Sequence, residues 1–316
     1  MTDARIQLST LVRSFSPDDP GGWDHFFRHA RLLDEAGFDR LALSEHVVFG
    51  ENLEAYSRPE LGGQTGGRQP TGPDGHWLEP LTALSVLAGR TSRIRLATGI
   101  LLAALRRPVV LAKTAATLDV LSGGRLDLAV GVGWQREEYE AAGLDFAERG
   151  RYLDQTLEVC RLLWSETRAS YSSPDLSFEN IHMMPKPLQP GGVPFWISGT
   201  LNPRVIRRIA RFGAGWYPWG PDSKDLASSI ARLRDAVAEE GRDPSDLQVI
   251  GHVPASTRPD GLLDVERTME AVPALIEAGA TDLRVNVRIP DDDAEAAEHL
   301  HRIVQGFRTA AGLPAD

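Results

Sequence analysis

Eight short apolar runs recur along the chain, each followed directly or after an insertion by a longer segment of helical period. They are Arg5 to Val12, Phe38 to Ser44, Ile94 to Leu101, Leu126 to Val132, Val193 to Ser198, Gly215 to Trp219, Leu247 to Val253 and Leu283 to Ile289. Runs of this length bounded by turn residues read as buried strands, and the 3.6-residue period between them reads as amphipathic helix. The stretch from Trp23 to Ala36, apolar at i, i+3, i+4 and i+7, is the clearest helix. Gly37, Gly213 and Gly279 follow predicted helices, as do Gly89, Gly123 and Gly241, and read as left-handed residues that turn the chain into the next strand. Eight such units in 316 residues, with no linker between halves, favour one closed (β/α)8 TIM barrel spanning residues 1–316 over two doubly wound domains.

Composition removes several functions. With 42% hydrophobic and 25% charged residues the chain can bury a large core and stay in water. No apolar run reaches the roughly 18 residues of a membrane helix, and the first residues lack the apolar core of a secretory signal, so a cytoplasmic protein without membrane contact is expected. A formal net charge of −10 argues against a nucleic-acid partner, because phosphate binding needs clustered Lys and Arg that outweigh local acid. A small-molecule substrate is the remaining default. The single cysteine, Cys160, excludes an intrachain disulfide and sits at core spacing in a helix. The pairs His25/His29 and His299/His301 lie on outer helices with no third ligand in view, so no metal is expected.

Two segments interrupt the rhythm. Gly50 to Trp77 is too rich in Gly and Pro for regular structure and follows the second strand, which places it on the catalytic face as a lid or substrate loop, or else as a disordered excursion. Thr167 to Gly192 reads as an insertion before the fifth strand that covers part of the same mouth.

The chemistry-bearing motifs fall at strand ends, where a barrel keeps its reactive groups. Ser44-Glu45-His46 closes the second strand; an imidazole there can move a proton at neutral pH, with Glu45 orienting a ligand or the ring, and a surface turn is the bland alternative. Gly131-Val132-Gly133-Trp134 closes the fourth. It lacks the third glycine of a dinucleotide fingerprint, but its glycines would let a flat ligand or phosphate approach the backbone, with Trp134 lining a pocket or packing on outer helices. Ser198-Gly199-Thr200 closes the fifth, with Asn202 as N-cap and Pro203 as first helical residue, a combination that suits an anion. His182 and His252 are further candidate pocket residues.

Nearly the whole chain resembles the luciferase-like flavin and deazaflavin oxidoreductases. The likeness is closest in the stretches Ala36 to His46, Thr91 to Ile100 and Arg107 to Trp134, with Trp77 to Leu84 and Phe178 to Pro187 similar to the branch that uses coenzyme F420. This resemblance implies a TIM barrel, a homodimer, and hydride transfer between F420 and a small organic substrate; an FMN-dependent monooxygenase is the alternative, and a non-catalytic flavin-binding barrel the rival of another class. It implies that His46 is the proton donor or acceptor and that Glu45 lies near the cofactor ring. It implies a non-prolyl cis peptide at Gly99-Ile100, which with Thr98 supports the ring. Gly131, Gly133 and Trp134, together with Ser198, Gly199 and Thr200, would contact the cofactor phosphate and tail, helped by Arg106, Arg107 and Arg204. A second acid found after the Gly-x-Gly in sugar-phosphate dehydrogenase relatives is replaced here by Arg136, with Glu137 and Glu138 beside it, so that substrate class is not implied.

Overall fold

In the computed structural model, which describes residues 6–314, the eight expected strands close into a parallel barrel. They are β1 (Gln7–Leu11), β2 (Arg40–Leu43), β3 (Arg95–Thr98), β4 (Leu126–Val130), β5 (Phe195–Gly199), β6 (Gly213–Pro218), β7 (Gln248–His252) and β8 (Asp282–Arg284). Each pairs with its neighbour in chain order, and β8 returns to β1, so no edge is left open. The outer layer contains α1 (Asp24–Ala36), α2 (Pro80–Ala88), α3 (Pro108–Leu121), α4 (Arg136–Ala141), α5 (Arg149–Ser165), α6 (Pro203–Phe212), α7 (Leu226–Glu239), α8 (Val265–Met269), α9 (Val272–Glu277) and α10 (Asp293–Ala310). None of the described helices is long and apolar enough to cross a membrane.

Most apolar side chains lie between strands and helices, in one continuous core that includes Cys160. Burial pushes the Cys160 thiol well above its ordinary pKa, as a packing role requires. The barrel interior is different. Toward the N-terminal ends of the strands Arg40 lies between Asp127, at 3.0 Å from its Nε, and Asp282, with its guanidinium 4.5 Å over the Trp196 ring. Ser9 links Asp282 to Arg284. Ala129, Trp196, Tyr217 and Ile250 form a small apolar plug nearer the C-terminal mouth.

Local expectations were met unevenly. Gly37, Gly123, Gly241 and Gly279 have positive φ, but Gly89 is right-handed and Gly213 extended. Space is tight at Gly213: a Cβ there would lie 3.1 Å from both the Cα and the carbonyl oxygen of Ile209, because β6 starts directly where α6 stops. Asn202 caps α6 as expected, accepting from the N–H groups of Arg204 (3.0 Å) and Val205 (3.1 Å).

Gly50 to Trp77 holds more structure than its composition suggests. It contains two short 3-10 turns, Leu53–Ser57 and Pro59–Leu61, and ends in His76–Trp77, which pairs with Phe15–Ser16. The 167–192 insertion does not cover the mouth. After a hairpin (Ala169–Ser172 with Ser177–Ile181) it runs to Gln189, whose amide reaches Arg95 and Leu126 at the start of β3 and β4 and Asp119 near the end of α3. A segment joining a helix to the next parallel strand must return to the strands' N-terminal end, and that is the face it covers.

Candidate active site

Past the last paired residues of β2 to β5 the backbone leaves the sheet, and the side chains there enclose a cavity of about 530 Å³ at the C-terminal mouth. Glu45, His46, Gly99, Ile100, Gly131, Gly133, Trp134, Ser198, Gly199 and Thr200 all border it. Thr98 does not. It is fully buried in β3 and donates its hydroxyl to the Ala129 carbonyl at 2.7 Å, because alternation along a strand turns it away from its neighbour Gly99.

The His46 ring is held in an aromatic box. Its centroid is 4.2 Å from Phe49, and it meets Trp77 (4.9 Å) and Trp134 (5.7 Å) edge to face. Trp134 therefore faces the pocket rather than the outer helices. Its ring also lies 5.3 Å from Tyr56, which the first insertion supplies. That insertion is tied down by Trp219, whose indole N–H is shared between the carbonyls of Gly62 and Gly63, both at 3.1 Å. The loop thus lines the outer side of the cavity.

Glu45 is committed to the protein. Its buried carboxylate accepts from the Leu102 N–H at 2.6 Å and pairs with Arg106, which also reaches Glu79 at 2.5 Å. Burial pushes this carboxyl up, against the pull of Arg106. Arg106 is thereby withdrawn from the anion-binding role expected of it. Gly99–Ile100 is a cis peptide, as the resemblance implied. The space that Gly131 leaves is already taken: a Cβ there would lie 2.2 Å from Cδ1 of Ile100. The glycine admits the Ile100 side chain, which in turn borders the cavity.

At Ser198-Gly199-Thr200 several donors are spent internally. Asn202 takes two N–H groups of α6, and Asp222 accepts from the Leu201 N–H at 2.6 Å. The cationic group with spare capacity is Arg149, which the sequence reading passed over. Its Nε is buried without a partner, and its guanidinium lies 3.9 Å over the Phe146 ring. Burial, and behind it the charges of Arg136 and Arg204, disfavour the Arg149 cation, so an anion beside it would relieve that pressure. Arg208 borders the same cavity and pairs with Asp154 at 2.6 Å.

Glu138 was noted only as a neighbour of Arg136. In the fold it is 2% exposed, accepts from the Val47 N–H at 2.8 Å, and places Oε1 3.4 Å from Nδ1 of His46. An acid shortly after the end of a strand was the available signal for it; nothing in the sequence singled out Arg149. His182 and His252 do not border the cavity: His182 belongs to the second insertion, and His252 packs 5.6 Å from the Tyr217 ring.

A closed (β/α)8 barrel with an aromatic-walled cavity and a caged imidazole at its C-terminal mouth defines the class: a barrel enzyme acting on small organic molecules. The sequence model for luciferase-like monooxygenases matches residues 5–312, and the chain belongs to that family. It is similar to an uncharacterized protein of Mycobacterium tuberculosis, 30% identical over 278 residues, covering 87% of this chain and 90% of the other. Among solved structures it resembles an F420-dependent secondary alcohol dehydrogenase bound to an F420–acetone adduct (TM-score 0.73, 16% identity, 96% and 99% of the two chains). It equally resembles a type II Baeyer–Villiger monooxygenase, the oxygenating constituent of 3,6-diketocamphane monooxygenase from the CAM plasmid of Pseudomonas putida, in complex with FMN (TM-score 0.73, 15% identity, 98% and 100%).

Proposed function

We propose that the chain is an oxidoreductase that holds a flavin-type cofactor in this cavity and acts on a small organic molecule beneath the Gly50 to Trp77 roof. FMN is the first reading of the cofactor. The observation that carries it is Arg149, a half-buried guanidinium whose Nε is buried without a partner, on the wall of a cavity that also presents glycines, aromatic rings and the side chains of Ser198, Thr200 and Arg208. Such a wall suits a flat ring system ending in one phosphate. F420 is the second reading, favoured by a separate groove that shares Arg208 with the cavity and continues along α6 past Arg204, Arg207 and Arg211, where a longer anionic tail would find cations.

A bound flavin or deazaflavin supplies the redox chemistry, and the protein supplies position, dryness and a proton path. Ile100, seated over Gly131 by the Gly99–Ile100 turn, presents an aliphatic wall to the ring. Arg149 and Arg208 balance phosphate charge. The Tyr56, Trp134 and Trp219 rings exclude water, and His46 takes or gives the proton that accompanies the redox step.

Titrating the purified protein separately with FMN and F420, followed by fluorescence, tests this reading. FMN is expected to bind, and Arg149→Ala to weaken it by about tenfold or more, or ~1.4 kcal/mol, the scale of one lost charge-assisted contact. F420 binding tenfold tighter than FMN would move the assignment to the second reading. No binding of either cofactor would overturn the proposal.

A further inference from the structure

From the position of Glu138 we infer that this residue sets the tautomer of His46. Nδ1 carries the proton, and Nε2 faces the cavity as a bare acceptor. The inference deepens the proposed function and rests on its reading of His46 as the proton-transfer group.

The argument begins with the two ring nitrogens. Nδ1 is buried and has no full hydrogen-bond partner, while the ring as a whole borders the cavity, so Nε2 is the nitrogen presented to a ligand. The polar group facing Nδ1 is the Glu138 carboxylate at 3.4 Å. Its Oε1 is already fixed by the Val47 N–H at 2.8 Å, and its Oε2 is buried without a partner. An ionised carboxylate only accepts, so a neutral imidazole beside it places its single proton on Nδ1. The Phe49, Trp77 and Trp134 rings hold the imidazole plane and offer no competing oxygen or nitrogen acceptor. The Trp77 indole N–H is occupied by the Thr71 hydroxyl at 3.0 Å. Neutral His46 therefore favours a ligand that brings a hydroxyl or N–H to Nε2, and it becomes a donor there only after taking up a second proton.

Glu138 is in this account a positioning residue, and the test reads the tautomer itself. The ligand-free protein is labelled with 15N-histidine, its long-range proton–nitrogen NMR spectrum is recorded at mildly alkaline pH, and the His46 signal is assigned from its loss in His46→Gln. The expected native pattern is a protonated Nδ1 and a bare Nε2. In Glu138→Gln, whose amide can donate toward Nδ1, the pattern should become mixed or inverted, and kcat should fall by about tenfold or more with FMN affinity within a few-fold. A native Nε2–H tautomer, or an unchanged pattern in a folded Glu138→Gln protein, would overturn the inference. Should that variant not fold, the native spectrum still decides. Since the spectrum needs no cofactor, absent flavin binding would remove the proposed function and leave the tautomer assignment standing.

Discussion

His46→Ala is expected to lower turnover per folded molecule by about 10²- to 10⁴-fold, or roughly 2.7–5.5 kcal/mol of barrier, with cofactor affinity within a few-fold of the native protein. The measurement pairs a fluorescence titration of FMN with the rate at which a turned-over compound, found by screening alcohols and carbonyl compounds, changes the redox state of the bound cofactor. Three functions of the ring give three patterns. Loss of a proton-transfer group lowers kcat. Loss of a cofactor contact weakens affinity with a normal saturated rate. Loss of packing against Phe49 and Trp77 lowers the melting temperature with near-normal turnover. The second or third pattern alone would remove His46 from the chemistry.

The other large effect is expected far from the cavity. Arg40→Met should destabilise the fold by about 3–5 kcal/mol, because it strands the Asp282 carboxylate in the barrel interior, where Arg40 is its cation. Urea unfolding of native and variant protein, read as a shift in midpoint at constant slope, measures this. Asp282→Asn in the Arg40→Met background should recover part of the loss by removing the stranded charge. An Arg40→Met midpoint equal to the native one would show that these interior charges contribute nothing net.

The same interior sets a dependence on acid. Burial raises the Asp127 pKa, but Arg40 and Arg95 outweigh it and hold the carboxyl below its ordinary value. A depressed carboxylate contributes stability that is complete above the unfolded pKa and is lost as pH falls through the folded one. The contribution is therefore fully present at neutral pH and fades below the ordinary carboxylate range.

Two kinds of information separate in this protein. Local pattern carried the barrel: short apolar runs in the strands, a 3.6-residue period in the helices, and eight repeats in order. The strand ends were legible for the same reason, since polar and glycine residues placed directly after apolar runs mark where the backbone leaves the sheet. Hence Ser44-Glu45-His46, Gly131 to Trp134 and Ser198 to Thr200 were found as motifs, and the structure brings them to one cavity. Even so, strand alternation was overlooked at Thr98, which points away from it.

What the tertiary structure decided are the partnerships between distant residues. Val47 meets Glu138 across 91 positions, and Arg40 meets Asp282 across 242. No periodicity encodes such pairs, because they depend on which strands lie side by side once the barrel has closed. Glu45 turns toward Arg106 rather than a ligand because the loop after β3 brings that guanidinium against it. Gly131 makes room for Ile100 rather than for a cofactor atom, and Arg149, an ordinary first residue of a helix in sequence, becomes a half-buried cation on the cavity wall with its Nε unpartnered. The sequence by itself determined the fold and the ends of the strands that bear the site. Closure of the barrel decided which charges are spent within the protein and which are left for a ligand, because desolvation and pairing act between residues that only the closed barrel makes neighbours.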